Sequence, residues 1–169
     1  MFLACSYVFP SIKSRLYFTR DLANGVGVKA YPTRFSGLNA PRQAFIPDGV
    51  IGWRPYENQQ DSWIAMQIGR TRRLAIASVI YPGKVGSKAA WVTTYKLQYS
   101  ATINFVGNWS YWKNVDTNSY NFNGIQNANQ LSQIASVEPR SVLNIKLFPQ
   151  AFHEAIALRW TMIFCFRKL

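Results

Sequence analysis

The sequence predicts an all-β domain, and three observations carry that reading. β-Branched and aromatic residues recur in short runs bounded by Pro, Gly, Asn and Asp. No long window holds the 3.6-residue apolar period of an amphipathic helix. With 49% hydrophobic, 15% aromatic and 15% charged residues, a chain of 169 residues can fill one sizeable core. About eight runs of strand length suit a sandwich.

Taken in order, the first run is MFLACSYVF, apolar but with no basic stretch ahead of it and no small-residue cleavage site before Lys13. It reads as a strand near Ser6 and not as a signal peptide. Lys13, Arg15 and Arg20, with no acid before Asp21, also match the composition of an organellar transit peptide. Residues 1–20 therefore stand as an N-terminal strand or extension, and residues 21–169 as the domain. A strand is expected within Asp21 to Tyr31, then at Trp63 to Ile68, Leu74 to Tyr81, Trp91 to Tyr99, Ser110 to Val115, Val142 to Phe148 and Ala155 to Phe166. In the fourth of these, Trp91, Thr93, Tyr95, Leu97 and Tyr99 share one face, as in a half-buried antiparallel strand. The loops are of two kinds. Pro32 to Gln43 and Pro82 to Ala90 carry Arg34, Arg42, Lys84 and Lys88, whereas Asn114 to Gln133 is rich in Asn and nearly uncharged. No repeat and no Gly/Ser or Pro linker divides the chain.

Charge narrows the partners. Lys and Arg number 19 against 7 Asp and Glu, a formal net charge of +12, which calls for an anionic partner. The cations are scattered from Lys13 to Lys168, with small clusters at Arg70, Arg72, Arg73 and at Arg167, Lys168, so they form a basic surface and not a basic arm. One histidine, His153, and two cysteines, Cys5 and Cys165, cannot build a four-ligand His/Cys zinc site. The apolar stretches Leu74 to Tyr81 and Trp160 to Phe166 fall short of the ~20 residues of a spanning helix, so no transmembrane segment is expected. His153 and Glu154 are adjacent, hence on opposite sides of a strand, and no nucleophile or second carboxylate accompanies them. The chain is read as no enzyme. Nucleic acid is disfavoured too, because no groove-reading helix or ordered aromatic platform goes with the charge.

Specific motifs now join these strands. Trp53-Arg54-Pro55, Trp63-Ile64-Ala65-Met66-Gln67-Ile68-Gly69, Gly83-Lys84-Val85-Gly86, Trp91-Val92-Thr93-Thr94-Tyr95 and Gln98-Tyr99-Ser100 are followed by Ile145-Lys146-Leu147-Phe148-Pro149, Ile156-Ala157-Leu158-Arg159-Trp160 and Cys165. This set resembles the discoidin domain, also called the coagulation-factor type C domain, a galactose-binding-like family, from about Asp21 to Cys165. Asp21-Leu22-Ala23-Asn24 and the Trp-Val-Thr-Thr-Tyr strand are nearest in tone to discoidin-type lectins.

The resemblance implies a jelly-roll β-sandwich of about eight antiparallel strands, without catalytic chemistry, whose loops at one end bind a sugar, an anionic lipid headgroup or a protein. Those loops would be Pro32 to Gln43, Gly49 to Asp61 and Pro82 to Ala90, presenting Arg34, Phe35, Leu38, Arg42, Arg54, Tyr56, Lys84, Val85 and Lys88. Basic residues around apolar tips suit an anionic bilayer or a sulfated glycan. The competing reading is that the cations only solubilise the chain while Phe35 and Leu38 fold into the core. Trp53, Trp63, Trp91 and Arg159 are assigned structural roles.

The family also implies a bridge between Cys5 and Cys165, against which stands the reading of two buried thiols. A bridged chain would be extracellular or on the cell surface, and an organellar, mitochondrial chain is the alternative. Calcium-binding members use an Asp-Gly segment, a hydroxyl residue and a Glu after the Leu-Arg. Here Asp48-Gly49 is present, but Gly52 and Thr161 occupy the other two places, so no cofactor is expected and Asp48 alone would remain as a ligand. Ala101 to Gly107 is an insertion. Two functions follow: a binding domain for carbohydrate or an anionic surface, or an accessory subunit of a large protein or ribonucleoprotein assembly that keeps the fold without the sugar site. Cations gathered on the end loops would favour the first, dispersed cations the second.

Overall fold

The computed structural model describes residues 28–31, 41–45, 51–55, 61–68, 73–102 and 107–165. Among them are nine strands: β1 Val28–Tyr31, β2 Trp63–Gln67, β3 Arg73–Val85, β4 Lys88–Ser100, β5 Ser110–Tyr111, β6 Asn121–Asn123, β7 Gln133–Val142, β8 Asn144–His153 and β9 Leu158–Cys165. A 3-10 turn at Pro41–Phe45 is the one helical element in the described residues. Every pairing is antiparallel, and the strands form two faces of an all-β sandwich. The larger sheet runs β1-β2-β8-β4, with β5 and β6 both paired to the far edge of β4. The smaller runs β7-β3-β9, and the β3–β4 hairpin joins the two.

Between the sheets the large one contributes Ile64, Met66, Tyr95, Leu97, Ile145 and Leu147, and the small one Ile80, Val137, Trp160, Met162 and Phe164, all buried in one core cluster. Phe45 of the 3-10 turn closes it against Trp160, ring centroids 5.9 Å apart. A buried polar bridge ties the layers. Tyr95 Oη and Trp160 Nε1 each donate to Ser78 Oγ at 3.1 Å. Burial pushes the Tyr95 phenol pKa well above its ordinary value, and the hydrogen bond to Ser78 opposes this only in part.

Irregularities explain where the simple two-residue alternation fails. β4 shifts register against β8 between Val92 and Thr94 and again between Thr94 and Tyr95. Val92 and Tyr95, three apart, are thereby both buried, and Val92 takes the core place expected for Thr93. β3 bulges between Ala75 and Ala77, so Ala75 and Ser78 are both interior. Opposite that bulge, β7 carries Pro139 in its unpaired stretch, where the missing N–H breaks no ladder bond. Pro149 similarly faces Tyr95 at the second β4 shift.

Boundaries differ from the sequence reading in several places. β7 was expected as loop and flank, and β6 lies inside the Asn-rich stretch Asn114 to Gln133. The run Ser110 to Val115 is a strand only at Ser110–Tyr111. Its remainder bridges the sheets instead: Trp112 N donates to Leu97 O at 2.9 Å and Val115 N to Ser136 O at 3.1 Å. The expected loop Pro82 to Ala90 is mostly paired strand, Gly83↔Ala90 to Val85↔Lys88, leaving a two-residue turn at its tip.

Candidate functional site

Strand register defines the two ends of the sandwich. Tyr31 pairs with Trp63, so the chain leaves β1 and re-enters β2 at one end. Trp91 pairs with His153, and Pro82 with Leu158, which puts the β3–β4 tip, the end of β8 and the start of β9 there as well. The three expected binding segments therefore depart from, or return to, one end. Residues 32–40, with Arg34, Phe35 and Leu38, lie outside the described residues, as do Asp48 and Tyr56. Arg42 stands in the 3-10 turn, its side chain outside the description.

The hairpin is built for this end. Gly86 takes φ 60°, which a two-residue turn with glycine first requires, and Gly86 to Ala89 are exposed. Lys88 is exposed at the tip, while Lys84 and Val85 are half-buried; Val85 packs on Ala90, Ala155 and Ala157. Residues 51–53 are wedged between β3 and β9. Lys84 N donates to Ile51 O at 2.9 Å, Trp53 N to Leu158 O at 2.9 Å and Leu158 N to Trp53 O at 3.1 Å. The fit depends on Gly52, at φ 80°, where a Cβ would lie 2.5 Å from Leu158 O. Trp53 is fully buried in the core, and Arg54 beside it is half-buried, its Nε lacking a hydrogen-bond partner.

The end of β8 adds residues to which the sequence reading gave no binding role. The His153 imidazole stacks on Trp91 at 4.1 Å between centroids and 17° between planes. Trp91 is buried with its Nε1 unpaired, Phe152 is 39% exposed, and Glu154 turns the chain with φ 62°. Their signal was hidden by Pro149, which makes the strand appear to end five residues early, at Phe148. Trp63 lies on the outer side of β2, with the Lys146 ammonium 4.8 Å from its ring. Arg159 donates from Nε to Pro82 O at 3.2 Å, its guanidinium 5.3 Å from the Tyr81 ring, so it braces β9 against the end of β3.

So Arg54, Lys84, Val85 and Lys88 share one end with the Trp91–His153 stack. That end offers the exposed His153 ring and the cations Lys84 and Lys88, while the unpaired Arg54 Nε and Trp91 Nε1 are buried. Among the described residues no group of three His, Cys, Asp or Glu gathers.

A family model, the F5/8 type C domain, matches residues 32–162. The chain belongs to the F5/8 type C domain family. Its sandwich is similar to discoidin II of Dictyostelium discoideum, with TM-score 0.63 and 21% identity over 85% of this chain, and it spans 57% of discoidin II's length. It is also similar to chitosan-binding module 2 of a Paenibacillus sp. IK-5 chitosanase/glucanase, solved in complex with chitotriose, at TM-score 0.59 and 10% identity over 80% of this chain and 94% of that one. A third likeness is the family 32 carbohydrate-binding module of C. perfringens NanJ in complex with galactose, at TM-score 0.56 and 12% identity over 82% and 92% of the two chains. At these identities the likenesses establish the shared discoidin-like jelly-roll.

Calcium, which some F5/8 type C relatives carry, does not fit the residues described. Thr161 offers one neutral hydroxyl, Oγ1, buried and unpartnered, and Gly52 offers no side chain. A dication that takes six to eight oxygens, several of them carboxylate, is not met by such a set. The Cys5–Cys165 pairing lies outside the described residues; the Cys165 backbone pairs across from Leu74 at the end of β9.

Proposed function

We propose that the chain is a non-catalytic binding domain that takes a glycan at the end of the sandwich where the β3–β4 tip, residues 51–55 and the end of β8 meet. The observation that carries it is the placement there of the exposed His153 ring, stacked on Trp91, with exposed Lys88 and half-buried Lys84 and Arg54. Sugar C–H faces stack on aromatic rings, and ammonium and guanidinium groups donate to hydroxyls and anionic substituents. Relatives of the same fold are crystallised with galactose and with chitotriose, which supports the choice of glycan over lipid. The basic end adds a preference for glycans that carry negative charge.

The test is binding of the wild-type chain and the Lys84→Glu/Lys88→Glu variant to an array of neutral and sulfated glycans and to vesicles of anionic lipid. Wild-type binding concentrated on acidic glycans, lost in the double variant with the fold intact, is the expected result. Equal binding by both proteins sinks the proposal, and binding to vesicles alone transfers it to a lipid headgroup.

The second reading, an accessory subunit of a larger assembly, is favoured by one observation: Lys96, Lys113, Arg140 and Lys146 lie on the large sheet and its seam with β7, away from the end loops. Mass spectrometry of natively isolated protein distinguishes the two, since a stoichiometric protein partner is expected only for the subunit.

A further inference from the structure

A groove unrelated to the end loops lies on the side of the sandwich, across the seam that residues 112–115 close between β4 and β7. Its volume is about 570 Å³, within the range of small-ligand sites, and Tyr111, Tyr120, Lys113, Asn118, Glu138 and Arg140 are among its lining residues. Tyr99, also in its wall, is eight residues along β4 from Trp91, which puts the groove about 25 Å from the His153 stack.

Two large aromatic side chains stand open in it. Tyr111 is 53% exposed and Tyr120 48%, their rings edge to face at 6.3 Å. Lys113 Nζ lies 5.7 Å from the Tyr120 centroid and donates to Asn118 Oδ1 at 3.2 Å, while Lys96 Nζ lies 5.9 Å from the Tyr111 centroid. On the opposite wall Arg140 pairs with Glu138, leaving acceptor and donor edges side by side. The loop that presents Asn118 and Tyr120 is closed on itself. Asn114 Oδ1 accepts from Asp116 N at 2.9 Å and Thr117 N at 3.3 Å, and Asn114 N donates to Ser119 O at 2.8 Å. Asn118 holds φ 52° at its apex. Such a loop is ordered before any ligand arrives, so little ordering cost remains for binding.

We propose that this groove is a second saccharide site, specific for a sugar unit that bears a carboxylate. Tyr111 and Tyr120 meet the ring's C–H faces, Asn118, Glu138 and Arg140 read its hydroxyls, and Lys113 faces the carboxylate, while Lys96 stands near the Tyr111 ring outside the lining. The two lining cations, Lys113 and Arg140, outnumber the single lining acid, Glu138, so an anionic unit is favoured over a neutral one. The assignment goes beyond the end-of-sandwich site and does not rest on it.

The test titrates isotope-labelled protein with a hexasaccharide of alternating glucuronate and N-acetylglucosamine, and with the same oligosaccharide after its carboxylates are reduced to alcohols. Amide shifts are expected in residues 111–120 and 138–140, with affinity at least tenfold lower for Tyr120→Ala, at least fivefold lower for Lys113→Gln, and at least fivefold lower for the reduced oligosaccharide. The Lys84→Glu/Lys88→Glu variant is expected to retain these shifts, which separates the groove from the hairpin end. Shifts absent from 111–120, full affinity in Tyr120→Ala and Lys113→Gln, or equal binding of the reduced oligosaccharide would each overturn the proposal.

Discussion

Gly52 seats residues 51–53 between β3 and β9, and replacing it separates two costs that usually come mixed. In Gly52→Ala the new methyl meets Leu158 O at 2.5 Å and Leu158 C at 2.8 Å, both backbone atoms that cannot rotate away. Gly86 has the same kind of positive φ, 60° against 80°, but nothing within 4 Å of its notional Cβ. Alanine in the left-handed region costs about 1–2 kcal/mol, offset by roughly 0.4–1 kcal/mol because the unfolded chain loses freedom. Gly86→Ala is therefore expected to lose a little under ~1 kcal/mol. Gly52→Ala adds the two Trp53–Leu158 hydrogen bonds that the clash pushes apart, about 1 kcal/mol each, for a loss of roughly 3 kcal/mol. It also frees Arg54 from its place beside β9. Urea unfolding of both variants gives the two losses, and a glycan titration at low urea gives the functional consequence. Equal losses in the two variants would show that the close approach to Leu158 is not what seats residues 51–54, and the argument for Gly52 would fail.

The buried Tyr95 phenol makes a pH prediction. Its pKa is raised in the fold, so the native state keeps a proton that the unfolded chain begins to release at pH 10.0, and stability present below that pH is lost above it. Tyr95→Phe should cost about 1 kcal/mol at neutral pH and remove this part of the alkaline slope, ~1.4 kcal/mol per pH unit; parallel pH profiles of the two proteins would contradict it. Ser78→Ala strands two buried donors, Tyr95 Oη and Trp160 Nε1, and should cost more, about 3 kcal/mol by urea unfolding. Lys146 sits among Trp63, Trp109 and Phe148, with burial lowering its pKa. Lys146→Met keeps the contacts and removes the desolvated charge, so thermal stability should be unchanged or higher, and a drop of several degrees would show that the cation–π contacts dominate. Protein isolated without reductant should take up no thiol alkylating agent at Cys5 or Cys165; uptake at both positions would refute the bridge that the family implies.

The strands legible from sequence were those whose chemistry is uniform along their length. β2 and the centre of β4 alternate or run apolar without interruption, and both stand within a few residues of expectation. β7 did not, because Glu138-Pro139-Arg140 breaks its pattern, and proline is excluded from a regular ladder. Its place beside the β3 bulge, where no ladder bond is required of Pro139, depends on a partner some sixty residues away, and local composition carries no trace of that. The same holds at Pro149 and the β4 shifts. The end of β8, and with it the His153–Trp91 stack, was hidden for this reason. The polar segment Pro82 to Ala90 was legible as a connection between two apolar strands, but only the family resemblance put Lys84, Val85 and Lys88 at one end, and the paired hairpin itself was not foreseen.

Charge reads differently once its setting is known. Lys96, Lys113, Lys146 and Arg159 each lie over an aromatic ring, at 5.9, 5.7, 4.0 and 5.3 Å from the nearest centroid described. Such a cation has surrendered part of its hydration and much of its rotamer freedom on folding. A ligand anion that reaches it pays less of both costs than at a free surface lysine. Net charge therefore governs how fast acidic ligands arrive, through a field felt from every side of the domain. In the proposed groove the rings beside Lys113 and Lys96 are the same tyrosines that a sugar would stack on. Cation and stacking surface are thus one structural unit there, which is why removing Tyr120 is expected to cost more affinity than removing the charge of Lys113.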